Sequence, residues 1–469
     1  MDLAFQISLV VFSITPVLLV LTVPALNAVR HGTMPDIFSP PWIMAGALLI
    51  GTTIRTIVLL FDPEVERKSF QVLGPFTPEE ALPLGLIAVN LGVLAWWAGY
   101  HSGLVLRWRK KEKKQVEFNQ RRYLRVHRIL LLLSLILMAL YLQTIGFFSS
   151  LSTFGFSAKR MFTVGDIAGN TTTFGYFRMA SDFLAVTAIY YFAFKYNFVK
   201  PTLKQQLVSF VLFLLACIIP FVASARGEII YLAFSILIVR HYMKKIITLK
   251  KVLIYIFISF IILGYLGTLR QQAYSRISNQ DREISYSLAD SFHTLAYNAH
   301  FLGVGKTAVV VSQVPKKHGY RWGTTYLTLF FAPIPRTLWP NKPIVRIGRF
   351  VGVELFERGT FSGVPPGMIG EAYLNFSWFG VIAIPFLFGV FCKSIYRSLV
   401  INRDPNDFAK AALYGILWVF RLDVLVTDFT GNIMRLLRYL LPFYLLYAAS
   451  FVRSPNTLSK VPAKAPVVS

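Results

Sequence analysis

Long uncharged runs of apolar residues constrain the fold of this chain more than any other feature. About twenty apolar residues cross a bilayer as an α-helix, and by that criterion the chain contains about 11 such runs. Only 15% of its residues are charged, against about a quarter in soluble domains. The sequence therefore predicts an all-α polytopic membrane protein with about 11 transmembrane helices (range 10–12), at roughly 4–28, 41–61, 81–106, 124–146, 176–196, 205–222, 227–243, 250–269, 377–396, 409–427 and 436–452.

The distribution of basic residues predicts the orientation of the chain. Its net charge is +26. Because basic loops accumulate on the cytoplasmic side of membrane proteins, this charge indicates membrane lipids as partners and no nucleic acid. The segment 107–128 is strongly basic, whereas the loop 62–80 is acidic. We therefore expect the N-terminus outside and the C-terminus in the cytoplasm.

The apolar runs divide the chain into four parts. Residues 1–269 contain predicted transmembrane helices 1–8. Residues 270–376 form one large external loop region, in which we expect amphipathic helices. Residues 377–452 contain helices 9–11, and the polar residues 453–469 form a cytoplasmic tail.

Charged residues in and beside the predicted spans gather on one side of the membrane. In the predicted orientation they lie near the outer ends of the spans, and they comprise Arg55, Arg178, Asp182, Arg226, Glu228, Arg421, Asp423, Asp428, Arg435 and Arg438. Each arginine taken alone is explained by reaching to the membrane surface or by pairing with a carboxylate. Together they favour a polar cavity that opens outward, and its guanidinium groups suit phosphate.

Two stretches of the external region are rich in proline and glycine. PIPRTLWPNKP spans 333–343, and GVPPGMIGEAYLNFSWFG spans 363–380, next to a predicted span. Proline fixes φ and disfavours helix, so we expect both stretches to form rigid loops. Aromatic residues are common at a membrane interface, but the carboxylate of Glu371 among them needs a separate explanation.

Other chemistries find no support in the sequence. The GKT at 305–307 lacks the glycine that a phosphate-binding loop needs five residues before Gly305, because position 300 is His. The seven histidines show no metal-ligand spacing, and no serine nucleophile motif is present. We therefore expect no metal and no cofactor.

PIPRTLWPNKP, GMIGEAYLNFSWFG (367–380) and SARGEI (224–229) carry a family resemblance. In these stretches, and in general plan along most of the chain, the sequence resembles the Wzy-type polymerases of bacterial oligosaccharide repeat units, which act in O-antigen, capsule and exopolysaccharide synthesis. The resemblance implies a lipid-carrier glycosyltransferase (GT-C-like) architecture in the bacterial inner membrane. It also implies transfer of a growing glycan from undecaprenyl diphosphate to a new lipid-linked unit at the outer face, without metal. A chain-length regulator protein is a further expected partner.

This chemistry requires cations for the leaving diphosphate and a base for the acceptor hydroxyl. The predicted diphosphate cations are Arg226, Arg336 and Arg421, with Arg270 and Lys342 as secondary candidates. Glu371 is the first choice for the base, Glu228 the second and His300 the third. Trp339 and Tyr373 are predicted to stack on sugar rings, and Asn375 and Arg178 to contact substrate.

Three rival functions stay open at this point. A glycan ligase would use the same donor with a different acceptor, and the sequence hardly separates it from a polymerase. A transporter or flippase of the lipid-linked oligosaccharide predicts charges along a path open to both sides, whereas these gather on one side. A purely structural partner leaves the outer arginines unexplained.

Overall fold

The computed structural model describes the chain in separate stretches. They are residues 2–32, 35–61, 73, 75–106, 116–144, 177–196, 201–222, 226–244, 246–259, 261–262, 265, 303–334, 338–339, 341, 347–357, 363–404, 407–426 and 428–453. Within these stretches most residues are helical.

The helices are numbered in chain order. They are α1 (Leu3–His31), α2 (Pro40–Phe61, with a π-helical part at Leu49–Ile54), α3 (Pro78–His101), α4 (Gln120–Thr144), α5 (Met179–Lys195), α6 (Leu203–Val222), α7 (Arg226–Met243), α8 (Gly303–Gln313), α9 (Thr324–Phe331), α10 (Ile347–Phe350), α11 (Gly367–Tyr396), α12 (Phe408–Val426) and α13 (Phe429–Ser450). Residues 249–259 are also helical. Two short strands, β1 (Val116–Phe118) and β2 (Phe451–Arg453), pair antiparallel.

Six of the described helices are long and apolar enough to cross a membrane. They are α1, α2, α3, α4, α6 and α11, the last with its continuation to Ile401. The prediction of a helical membrane protein is thereby confirmed. The count of about 11 spans, the GT-C-like architecture and the four-part division stay predictions. Three further helices, α5, α7 and α12, coincide closely with predicted spans, whereas α13 begins seven residues before the span predicted at 436–452.

The prediction of a rigid loop over 363–380 is wrong for most of that stretch, because α11 begins at Gly367. The two prolines that suggested a loop lie immediately before this helix, with Pro366 at its N-cap. Proline is tolerated at a helix start, where its missing N–H has no intrahelical partner to lose. Most of PIPRTLWPNKP lies outside the described residues.

A break divides α11 into two parts. Phe376 (φ −134°, ψ 21°) and Ser377 (φ 56°, ψ −151°) leave the helical conformation, and a positive φ is uncommon for serine. The hydroxyl of Tyr320 donates to Ser377 Oγ across 3.0 Å. Behind the break, a Cβ on Gly380 would overlap the carbonyl oxygen of Ala372, so this turn of chain needs glycine. The axis of the first part of α11 can therefore differ in direction from the axis of the second part.

Close packing of α11 against α3 forms the centre of the first of two large cores. A Cβ on Gly99 would overlap the carbonyl oxygen of Phe386, and a Cβ on Gly389 would overlap that of Trp96. The two backbones therefore touch directly, as small residues allow in membrane helix pairs. Nearer the start of α3, a Cβ on Gly85 would lie 2.6 Å from the Cβ of Ala308 in α8.

The buried side chains form two main clusters. The first joins α1, α2, α3, α8 and α11. The second joins α4, α5, α6, α7, α12 and α13. Because α11 belongs to the first cluster and α13 to the second, a side chain that links these two helices lies between the two parts of the protein.

Asp36, between α1 and α2, links both parts at one end of the protein. Its carboxylate accepts hydrogen bonds from the hydroxyls of Tyr242 (2.7 Å) and Tyr396 (2.6 Å), and His241 Nε2 lies 3.5 Å away. Burial would raise the pKa of this carboxyl, but the hydrogen bonds outweigh burial and lower it below its ordinary value. The end of α7 and the end of α11 are thus tied to the turn after α1.

Candidate functional site

The Glu371 carboxylate lies in the first part of α11 and is almost completely buried, with 1% of the residue exposed. No Lys or Arg pairs with it among the side chains that the structure describes. A buried carboxylate without a counter-ion is costly and stays only where hydrogen bonds compensate it or where function requires it. Its surroundings therefore decide what it can do.

Two hydrogen-bond donors hold this carboxylate, one from each neighbouring segment. The hydroxyl of Thr325 in α9 donates to Oε1 over 2.7 Å, and the backbone N–H of Phe429, at the start of α13, donates to Oε2 over 2.7 Å. Both oxygens keep a further lone pair, because a carboxylate accepts up to about four hydrogen bonds. Glu371 thus has a fixed orientation and free acceptor capacity.

Asn375, one turn after Glu371, completes the arrangement. Its amide nitrogen donates to Thr325 Oγ1 (2.7 Å) and to the carbonyl oxygen of Glu371 (2.8 Å), and its amide oxygen accepts from the N–H of Gly323 (2.9 Å). Since Thr325 Oγ1 accepts this bond, its own proton is directed to Glu371. Asn375 is therefore a positioning residue in this conformation.

Further threonines connect α9 to α13. Thr430 donates to the carbonyl oxygen of Thr325 over 3.1 Å, and the hydroxyls of Thr328 and Thr430 lie 2.9 Å apart. Next to them, the ring of Tyr326 stacks on Phe376 and meets Phe429 edge-on. Phe429 is 39% exposed, so a partly exposed aromatic residue lies beside the buried carboxylate.

Replacing Thr325 with valine tests this positioning. Valine has nearly the same shape but donates no hydrogen bond, so Glu371 Oε1 loses its donor and Asn375 loses an acceptor. A hydrogen bond to a charged group contributes about 1.5–3 kcal/mol. We therefore expect the rate of a reaction in which Glu371 is the base to fall by roughly 10- to 100-fold. Thr325→Ser keeps the hydroxyl and should retain most of the activity. Equal rates for the two variants would contradict the role of this hydroxyl.

Two ion pairs lie at the start of α5. Arg178 contacts Glu228 at 2.8 Å, which joins the starts of α5 and α7. Arg438 in α13 contacts Asp182 in the first turn of α5 at 2.7 Å. Two predicted site residues, Arg178 and Glu228, are thus paired with each other, and the guanidinium of Arg178 already has an anionic partner.

The remaining predicted residues are buried or half-buried, or have side chains outside the described part of the chain. Tyr373 is 4% exposed and donates to the carbonyl oxygen of Val314 over 3.2 Å, while its ring packs against Trp378. Trp339 is half-buried and meets Phe331 edge-on. Arg226 and Arg421 lie in α7 and α12, with side chains outside the described part, and Arg270, His300, Arg336 and Lys342 lie wholly outside it.

Sequence reasoning did not identify Thr325 or the N–H of Phe429. Thr325 lies in an apolar segment, GTTYLTLFF, without any sequence motif, and a backbone N–H carries no residue-specific signal. Asp428 offered a partial clue, because an Asp before an apolar run predicts an N-cap. It does cap α13, accepting from the N–H of Gly431 over 3.2 Å. Among the residues described, no group of three His, Cys, Asp or Glu side chains has the geometry of a metal site.

These features define a multi-pass helical membrane protein with a buried polar site where α9, the first part of α11 and the start of α13 meet. A family model described as O-antigen polysaccharide polymerase Wzy matches residues 5–456, and the chain belongs to this family. The resemblance found in the sequence is thereby confirmed, and with it a transmembrane protein of polysaccharide biosynthesis that acts on lipid-linked repeat units. No curated protein and no solved structure matches the chain.

Proposed function

We propose that the protein is a metal-independent glycosyltransferase that polymerises undecaprenyl-diphosphate-linked oligosaccharide repeat units at the outer face of the bacterial inner membrane. The observation that carries this proposal is the Glu371 carboxylate, which is buried, unpaired with any described cation and held by donors from α9 and α13. Membership of the Wzy family supplies the reaction class. The geometry supports Glu371 as the base.

The reaction exchanges one bond for another at the anomeric carbon of the growing glycan. The bond from this carbon to undecaprenyl diphosphate breaks, and a bond to a hydroxyl oxygen of the incoming lipid-linked unit forms. The hydroxyl proton passes to Glu371, and undecaprenyl diphosphate leaves. Thr325 and the Phe429 N–H keep the carboxylate in place while it accepts the proton, which is the positioning that general base catalysis needs.

Binding of the sugars requires surfaces next to this base. The partly exposed ring of Phe429 lies beside Glu371, and the half-buried Trp339 lies in the stretch that follows α9. Aromatic rings provide apolar faces that pack against the C–H faces of sugar rings. We assign these two side chains to the glycan, whereas Tyr373 supports α11 from the core.

Negative charge develops on the leaving diphosphate, so the site needs cations. Arg336 and Lys342 follow α9 in the chain, and Arg421 lies in α12, shortly before Asp428 and α13. The guanidinium of Arg178 is engaged by Glu228, so we rank Arg336, Arg421 and Arg226 above it for the diphosphate. A guanidinium group can donate two parallel hydrogen bonds to two phosphate oxygens. Such donors stabilise negative charge that develops in the transition state.

The substitution Arg336→Ala tests the diphosphate assignment. We expect the elongation rate to fall by about 100- to 1000-fold, because one preorganised donor to a developing anion contributes about that factor. The rate is measured on purified protein with a lipid-linked repeat unit, by following the glycan ladder on a gel. Lys316→Ala removes an exposed cation as a control and should not slow the reaction. A wild-type ladder and rate for Arg336→Ala would exclude this arginine from the site.

The same reconstituted assay tests the proposed function as a whole. Proteoliposomes with the protein and the lipid-linked unit alone should produce a ladder and free undecaprenyl diphosphate, in equal amounts whether or not a chelator is present. If the product carries glycan only when another acceptor molecule is added, the protein is a ligase. If the lipid-linked unit only moves across the membrane unchanged, the protein is a transporter.

A further inference from the structure

Lys195, the last residue of α5, is a buried lysine without a counter-ion. Only 7% of the residue is exposed. Its ammonium donates to Ser209 Oγ in α6 over 2.8 Å and lies 3.9 Å from the ring centroid of Phe192. Among the residues the structure describes, no carboxylate pairs with it. An ammonium has three protons to donate, and one hydroxyl does not neutralise its charge.

The charged groups near Lys195 add further positive charge. They are Arg240 and Lys244 at the end of α7, and both are cations. The ring of Tyr196 lies between the lysines, with its centroid 5.4 Å from the Lys195 Nζ and 5.5 Å from the Lys244 Nζ. Neither Arg240 nor Lys244 forms an ion pair within the described part of the chain. Three neighbouring cations without an anion repel each other, and burial of one of them increases the cost.

An apolar surface adjoins these cations. Ser209 lies on α6, and elsewhere around the same helix Leu203, Leu207 and Phe210 are 82%, 61% and 58% exposed. A ligand that matches both features carries a phosphate next to hydrocarbon chains. Basic pockets between membrane helices bind anionic phospholipid headgroups in this way.

We propose that Lys195, Arg240 and Lys244 form a binding site for the headgroup phosphate of an anionic phospholipid, whose acyl chains lie along α6. Lys195 contacts the phosphate from inside the protein, and Arg240 and Lys244 contact it from the surface. The bound phosphate supplies the missing counter-charge.

This site is separate from the one at Glu371. Lys195 lies about 20 Å along α5 from Asp182, by the rise of an α-helix per residue. Asp182 pairs with Arg438 near the middle of α13, and Tyr190, later in α5, donates to Ser450 at the end of α13. The start of α13, which contacts Glu371, therefore lies beyond the start of α5. The phospholipid therefore binds at the opposite end of α5 from the candidate active site and does not depend on the proposed function.

Thermal unfolding of the full-length protein in detergent tests the site. We expect phosphatidylglycerol to raise the Tm of the wild type by about 3 °C or more, because a ligand that binds only the folded state stabilises it. Phosphatidylcholine, which has no net charge, should not. In Lys195→Met, which keeps the length of the side chain but not its charge, the shift caused by phosphatidylglycerol should disappear. In the matched control Lys250→Met, an exposed lysine, the shift should stay.

Three outcomes would overturn the proposal. They are an equal shift with phosphatidylcholine, an unchanged phosphatidylglycerol shift in Lys195→Met, and an equal shift with inorganic phosphate alone, which would identify a free anion as the ligand. If Lys195→Met does not fold, the exposed Lys244→Met decides in its place: loss of half of the shift or more supports the site, and a smaller loss overturns it.

Discussion

Glu371→Gln should abolish polymerisation while the protein still folds and still binds its lipid-linked substrate. A positioned general base contributes about 10²- to 10⁴-fold to a rate, and an amide cannot accept the proton. The fold should survive because glutamine has the shape of glutamate. Its amide oxygen can accept from the N–H of Phe429, and its amide nitrogen can donate to Thr325 Oγ1, which turns its own proton away.

The measurement is the initial rate of ladder formation, combined with retention of radiolabelled lipid-linked unit on the purified protein. Glu354→Gln provides the matched control, because Glu354 is exposed and lies in the turn after α10. Its rate should equal that of the wild type. Normal elongation by Glu371→Gln would remove Glu371 from the mechanism. Loss of substrate retention together with activity would indicate a role in binding instead of proton transfer.

Gly99→Ala should prevent stable packing of α3 against α11. The added methyl group would overlap the carbonyl oxygen of Phe386, and backbone atoms cannot move aside as a flexible side chain does. Overpacking in a rigid core costs about 1–3 kcal/mol, and we expect the upper end of that range. Gly389→Ala meets the carbonyl oxygen of Trp96 on the same interface and should have a similar effect.

Thermal unfolding in detergent and the yield of folded protein in membranes measure this effect. Gly46→Ala is the control, since a Cβ at Gly46 in α2 has no atom within 4 Å. This variant should be as stable as the wild type or more stable, because alanine favours helix over glycine by about 1 kcal/mol. If Gly99→Ala and Gly46→Ala unfold at the same temperature, the direct contact of the two backbones does not exist in the protein.

Helix positions could be predicted from the sequence because a membrane span leaves a local signal. The bounds of α1, α2 and α6 follow from apolar runs of about twenty residues or more, each with a single Lys or Arg. The first part of α11 was missed for a physical reason. The prolines before Gly367 suggested a loop, yet proline at a helix start favours the helix. The break at Ser377 leaves no sequence pattern of its own.

Glu371 and Asn375 could be proposed from the sequence because they are polar residues beside an apolar span. The residues that hydrogen-bond to them could not be predicted from the sequence. Thr325 and Phe429 are 46 and 58 residues from Glu371, and only the folded chain brings them together. The pairing of Arg178 with Glu228 is equally non-local. The predicted orientation places ten charged groups at one side, but the sequence gives no rule for which of them neutralise each other.

The hydrogen bond from the Phe429 N–H to Glu371 also bears on when the enzyme becomes active during its synthesis. Glu371 leaves the ribosome well before α13, and Phe429 is the first residue of that helix. Until α13 has been inserted, the carboxylate lacks one of its two donors and the second core lacks a helix. A chain that stalls before this step carries all of the predicted site residues, but the proposed base has only one of its two donors. Under the proposed mechanism, the order of translation therefore keeps a half-made protein from transferring glycan.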